Sequence, residues 1–85
     1  MKVKKASEEE IRKTINWGTW KKEPSEFPWF YDEKETCYIM EGRASVKDND
    51  SNEITFGPGD FVEFEKGLHC TWIIHETIRK KYNFG

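Results

Sequence analysis

The side chains of this chain whose types could do chemistry are Glu35, Cys37, His69, Cys70 and His75. They fall in or just beyond two stretches, one from Trp29 to Gly42 and one from Gly57 to Trp72. A carboxylate such as Glu35, once enclosed, must be paired, hydrogen-bonded or protonated, because an isolated buried charge is costly. Held that way it could anchor a ligand amine or act as a general acid or base. It could equally bond a strand-end backbone group or Arg43, with Tyr31 and Tyr38 as further candidate donors. A thiol becomes a nucleophile only where a base or cation lowers its pKa. Neither Cys37 nor Cys70 has such a neighbour in sequence; Arg79 and Lys81 would serve only if turned inward. The two cysteines lack CxxC spacing and are too few for a disulfide framework, so reduced, packed thiols are expected. Asp60, in Gly57-Pro58-Gly59-Asp60, reads as a turn-stabilising acceptor rather than a catalyst.

The elements that position these groups are short strands. Ser7-Glu8-Glu9-Glu10 is a capping-box pattern, and Ile11 and Ile15 follow at i, i+4. A short helix over 8–15 is predicted, its apolar stripe laid against the rest of the fold. Trp17 and Trp20 open a segment interrupted by Pro24 and Pro28, which suit an edge strand because proline cannot donate to a ladder. Beyond Phe27 the pattern predicts strands over 35–41 and 43–47 with a turn at Gly42, then an exposed hairpin loop over 48–52. Strands over 53–56 and 61–64 flank the turn at 57–60; a turn at 65–68 precedes strands over 69–75 and 77–84. Such frequent punctuation by Gly, Pro and Asn indicates an all-β sandwich or barrel. With no repeat or low-complexity tract, residues 1–85 read as one domain: an arm and helix over 1–16 and a barrel over 17–84.

Side-chain alternation along a strand sorts the faces. Cys70, Trp72 and Ile74 share the more apolar face of their strand and are expected inside, with His69, Thr71, Ile73 and His75 outside. Both faces of the strand over 35–41 are mixed: Glu35, Cys37, Ile39 and Glu41 on one, Thr36, Tyr38 and Met40 on the other. Parity alone does not choose between them.

Composition narrows the function classes. Thirteen aromatic residues (six Phe, four Trp, three Tyr) supply large buried areas with few rotors to freeze. The formal net charge of −2 comes from intermixed acids and bases. No basic stripe is available to neutralise phosphates, which argues against nucleic-acid partners. No apolar run approaches the roughly 20 residues that cross a bilayer, and the charged N-terminus lacks the apolar segment of a signal peptide. A cytoplasmic protein with no membrane partner is the expectation.

The order and spacing of the motifs carry a resemblance. Phe27-Pro28-Trp29-Phe30-Tyr31-Asp32, Glu35-Thr36-Cys37-Tyr38, Glu41-Gly42, Pro58-Gly59-Asp60-Phe61-Val62, Lys66-Gly67, Cys70-Thr71-Trp72 and Tyr82-Asn83-Phe84 together resemble the cupin superfamily. More narrowly, they resemble its small single-domain members related to (S)-ureidoglycine aminohydrolase, many of which have no assigned function. The resemblance covers residues 17–84 and implies a jelly-roll β-barrel.

In that register Trp29, Tyr31, Glu35, Cys37 and Cys70 project into the barrel, and with Trp72 they are the candidate ligand-binding residues, Glu35 also being the candidate catalytic one. The family's metal is typically held by three histidines and one carboxylate, a set suited to Mn, Fe, Ni or Zn. Here the histidine places fall on Trp29, Tyr31 and Cys70, and only the carboxylate, Glu35, remains. Trp has no free lone pair and Tyr has a reference pKa of about 10. Glu35 and Cys70 are two weak candidate ligands, short of the three a catalytic zinc site uses. His69 cannot join Cys70 inside without a bulge, because neighbours on a strand face opposite ways. The expectation is therefore a cupin without cofactor that binds an unidentified small molecule, flat or cationic, against Trp29, Tyr31 and Trp72. The alternatives are an enzyme acting on a small nitrogenous metabolite, as the resemblance suggests, and a non-catalytic regulatory or interaction module. Pairing into a homodimer through a sheet face is implied by the resemblance alone.

Overall fold

Two long strands, β4 (Glu35–Asp48) and β7 (His69–Phe84), run antiparallel to one another and carry the rest of the fold. The computed structural model describes residues 1–85. In chain order the other elements are β1 (Lys2–Lys5), α1 (Glu8–Lys13), a 3-10 turn (Thr14–Asn16), β2 (Gly18–Lys22), β3 (Ser25–Phe30), β5 (Glu53–Phe56) and β6 (Asp60–Phe64). The first half of β4 pairs with β6 and with the second half of β7; its second half pairs with β5 and with the first half of β7. β2 extends the sheet beside residues 78–82, β3 extends it beside residues 69–74, and β1 lies outside β6. The fold is an all-β jelly-roll barrel with one short helix.

The turn expected at Gly42 and the break expected between His75 and Thr77 are both absent: each pair of expected strands is one continuous, bent strand. The bend lies where β4 slips register against β7, between Ile39 and Ala44. Gly42 sits there at φ +87, so tightly against β7 that a Cβ would overlap the Thr77 carbonyl oxygen and stand 2.8 Å from that of Glu76. Bulges of this kind bend a strand and re-phase its side chains. Glu35, Cys37 and Ile39 face the interior before the bulge, and Ala44 and Val46 face it after. The mixed faces that left the parity of 35–41 open are resolved in favour of Glu35 and Cys37.

The two halves close on one aromatic core. Trp72 on β7 packs against Phe56 and Phe64, both at 5.5 Å between ring centroids, and Tyr31 stacks on Phe64 at 4.9 Å. Such tilted and offset pairs add to the area term of burial. Turn chemistry follows the sequence. Asp48 accepts hydrogen bonds from the Asp50 and Asn52 amides across the 48–52 loop, and Asp60 accepts one from the Gly57 amide at 2.8 Å. Pro28 lies in β3, which pairs only with β7 and is an edge strand there.

The N-terminal segment departs from expectation. The capping box forms, with Ser7 and Glu10 bonding each other's amides, but α1 ends at Lys13 and the turn after it is 3-10. Its isoleucines do not cover the barrel: Ile11 is 37% exposed and Ile15 75%. Thr14 is the residue buried there, and Trp17 reaches Phe61 at 6.0 Å. Residues 2–5, expected to be part of an arm, instead add a strand to β6, with Val3 opposite Val62. All four side chains of β1 are exposed, so it is held to β6 by backbone pairing and the Lys2–Glu63 ion pair at 4.0 Å. A second attachment, to α1, is the Lys4–Glu10 ion pair at 2.7 Å.

Glu10 makes that attachment acid-sensitive. The Lys4 ammonium, and then the Ser7 amide, hold its carboxyl down at about 2, against an ordinary 4.5. A depressed folded-state pKa contributes stability above the unfolded value that is lost as pH falls through the folded one. The contribution is expected intact above about pH 4.5 and gone near pH 2. Carboxyl chemical shifts followed by NMR should place the Glu10 midpoint at about 2, well below the ordinary glutamate value of 4.5.

Candidate ligand-binding cleft

Bulge and bend bring residues from four strands to one cleft of about 560 Å³. β2 supplies Trp20 and Lys22, β3 supplies Phe27 and Trp29, β4 supplies Glu35, and β7 supplies Trp72, Lys80, Tyr82 and Phe84; Tyr31 follows β3 directly. Alternation explains the β7 contribution: Trp72, Lys80 and Tyr82 have the same parity along one strand.

The centre of the cleft is an ion pair. Lys80 Nζ donates to Glu35 Oε2 at 2.8 Å, with the two side chains only 6% and 4% exposed. The same ammonium lies 4.6 Å from the Trp72 ring and 4.8 Å from that of Trp20, a cation–π contact on each. Trp72 Nε1 donates to the Tyr31 hydroxyl at 3.1 Å. Burial, reinforced by the negative charge of Glu35, holds the Tyr31 phenol well above its ordinary pKa, so it stays protonated. No buried side-chain nitrogen or oxygen lacks a partner.

The candidates from sequence are distributed as follows. Tyr31, Glu35, Cys37, Cys70 and Trp72 are all buried, but of these only Tyr31, Glu35 and Trp72 line the cleft; Cys37 and Cys70, expected as ligand-binding residues, do not. Trp29, expected to project inside, stands at the mouth and is 49% exposed, because β3 is an edge strand with nothing beyond it. Arg43 does not reach Glu35; it pairs with Glu76 at 3.3 Å. Arg79 and Lys81 have the outward parity of β7, and Arg79 pairs with Glu41. His69 is exposed and packs at a tilt against Phe30 at 4.4 Å, while His75 is exposed and hydrogen-bonded to the Ser45 hydroxyl at 2.8 Å. Sequence reasoning missed Trp20, Lys22, Phe27, Tyr82 and Phe84 of the cleft lining and, at its centre, Lys80. Carrying the parity of Cys70, Trp72 and Ile74 straight on through Ile78 would have placed it inside.

Both thiols are free. Burial pushes Cys37 up to about 12; Lys80 pulls the other way without offsetting it. Cys70, whose Sγ lies 3.7 Å from the Trp29 carbonyl oxygen, is pushed up to about 11 by burial and then by Glu35. Since only the thiolate attacks, both should react with a disulfide reagent at pH 8 at least about 100-fold more slowly in the folded protein than in urea. A folded-state rate within a few-fold of the unfolded one would contradict these environments.

The residues present do not fit the metal typical of cupins. No three His, Cys, Asp or Glu side chains converge anywhere in the chain. The Glu35 carboxylate already accepts from Lys80, Tyr31 holds its proton, and the Cys70 thiol sits beside a backbone carbonyl.

Strand order, bulge and an open cleft make this a jelly-roll barrel of the cupin class, as the family match shows. The family model described as EutQ-like cupin domain matches residues 9–82, and the chain belongs to that family. A DUF861-family protein from Thermotoga maritima is 42% identical, with a TM-score of 0.95 over 99% of this chain and 98% of that one. The EutQ protein of Clostridium difficile is similar in fold alone, at 16% identity and a TM-score of 0.73. That match covers 79% of this chain, which spans 52% of the EutQ chain. A DUF861-family protein of unknown function from Pseudomonas syringae is 26% identical, with a TM-score of 0.72, over 80% of this chain and 29% of that one. No curated protein matches the chain. No helix is long and apolar enough to cross a membrane.

Proposed function

We propose that this cupin binds a small molecule in its aromatic cleft without a metal, and that Lys80, fixed by Glu35, is the polar group the ligand meets. The observation that carries the reading is the Lys80–Glu35 pair, almost fully buried yet lining a cleft walled mostly by aromatic rings. A mostly apolar concavity with a few convergent polar groups is the usual form of a ligand site. Ordering charged groups inside one is costly unless they are paired. Glu35 spends a hydrogen bond on Lys80, whereas Lys80 keeps two further N–H donors beyond that bond.

The four tryptophans make the test direct. In an NMR titration with a set of small aromatic and aliphatic fragments, binders are expected to shift the indole N–H signals of Trp20 and Trp29. The signal of Trp17, which packs on Phe61 away from the cleft, should stay in place. Fragments that shift none of these signals, or shift Trp17 equally, would overturn the reading. Protein purified without a chelator or affinity tag is expected to carry no stoichiometric Mn, Fe, Ni or Zn by elemental analysis; a full equivalent of any of them would overturn the metal-free part.

The reading of an enzyme acting on a small nitrogenous metabolite finds less support. Pairing with Lys80 stabilises the Glu35 carboxylate and weakens it as a general base, and both thiols are held protonated. A regulatory module working only through its outer sheet leaves the cleft without a role.

A further inference from the structure

The cleft, taken as a ligand site, raises the question of which charge it accepts. Clusters of Trp, Tyr and Phe ordinarily attract cations through their ring faces. Here the protein's own ammonium occupies that seat: Lys80 Nζ faces both the Trp20 and Trp72 rings, at 4.8 and 4.6 Å. A ligand cation would have to displace it or sit beside a like charge.

The remaining charges add to the same bias. The ionised side chains lining the cleft are Lys22, Glu35 and Lys80, two positive and one negative. The Glu35 charge is spent on Lys80 at 2.8 Å. Lys22, on exposed β2, lies over the Phe27 ring at 5.6 Å, and no carboxylate pairs with it among the ion pairs of the chain. The cleft therefore has one uncompensated positive charge at its rim, above low-dielectric walls that focus its field.

We propose that the ligand is a small organic monoanion with a flat apolar body, its carboxylate or equivalent meeting Lys80 and Lys22 and its body lying against Trp20, Phe27 and Trp29. This rests on the cleft being a small-molecule site. It sets aside the cationic ligand that the aromatic residues alone suggest.

The experiment compares three probes with one ring system and different charges: indole-3-acetate, indole and tryptamine. Each is titrated at neutral pH into the intact protein, with the Trp20 and Trp29 indole signals as readout. Indole-3-acetate should bind about tenfold or more tightly than either of the others. Its advantage should shrink as ionic strength rises to the physiological level. Lys22→Met, at an exposed edge-strand position, should fold normally and lose most of that advantage. Tryptamine or indole binding as tightly as indole-3-acetate would overturn the charge selection and leave the small-molecule reading standing. No shift of either signal by any of the three would overturn both. An advantage unchanged by Lys22→Met and by salt would show that the charge at the rim does not select the ligand, and would overturn the proposal.

Discussion

Replacing Glu35 with alanine is expected to lower the unfolding free energy by about 3–5 kcal/mol. The substitution leaves Lys80, 5% exposed, without its only carboxylate. A chain of 85 residues has a total stability on the order of 4–13 kcal/mol at about 0.05–0.15 kcal/mol per residue. The loss is thus comparable with the whole margin, and partial unfolding at room temperature is expected. Glu35→Gln keeps a hydrogen-bond acceptor for Lys80 and should fall at the low end of the range. The informative variant is the double one. Glu35→Leu with Lys80→Met replaces the pair by apolar groups, and such replacements are often close to neutral. Urea unfolding of the singles and the double should show strong coupling, with the double more stable than Glu35→Ala. A double variant whose loss equals the sum of the singles would show that the two groups do not depend on each other. If the double variant folds but indole-3-acetate no longer binds in preference to indole, the pair is kept for the ligand rather than for stability.

How much of this was legible in sequence depends on what each residue has to work against. Cys70, Trp72 and Ile74 could be placed because their strand pairs on both edges and buries one face, so alternation is clean. Glu35 and Cys37 could be placed only through motif resemblance, because both faces of 35–41 are mixed and Lys81 and Tyr82 pair with opposite faces of it. Lys80 was invisible for two reasons. A lysine is rarely buried unless paired, and the strand carrying it was expected to break near His75. Glu76 is exposed although it shares the parity of Trp72 and Lys80, because it pairs with Arg43 at the bend; that interruption imitates a strand end. β1 left no trace, since an edge strand with every side chain exposed shows neither alternation nor apolar content. The helix was expected from a cap that does form, but the burial inferred from Ile11 and Ile15 did not follow, because a cap specifies where a helix begins and not what it lies against.

Gly42→Ala is expected to be the most damaging substitution of a small residue in the chain. Its φ of +87 disfavours any side chain, at a cost of about 1–2 kcal/mol. The added methyl would also overlap the Thr77 carbonyl oxygen and crowd that of Glu76. Those are backbone atoms of the central strand and cannot rotate aside, so a further about 1–3 kcal/mol is expected from overpacking. Gly59 and Gly67 provide the control. Their φ values are +91 and +89, yet nothing lies within 4 Å of a Cβ at either position, so alanine there should cost only the conformational part, about 1–2 kcal/mol. Urea unfolding of the three variants separates the two contributions, and equal losses would show that close approach at Gly42 is not what holds the bulge. The consequence reaches the cleft. The register slip at Gly42 turns Ala44 and Val46 inward after Glu35, Cys37 and Ile39, and it lets one bent β7 give Trp72 to one half of the barrel and Lys80 to the other. A Gly42→Ala protein that still folds should therefore lose slow hydrogen exchange at the amides of 44–48 and, with it, the aromatic seat in which Lys80 is held.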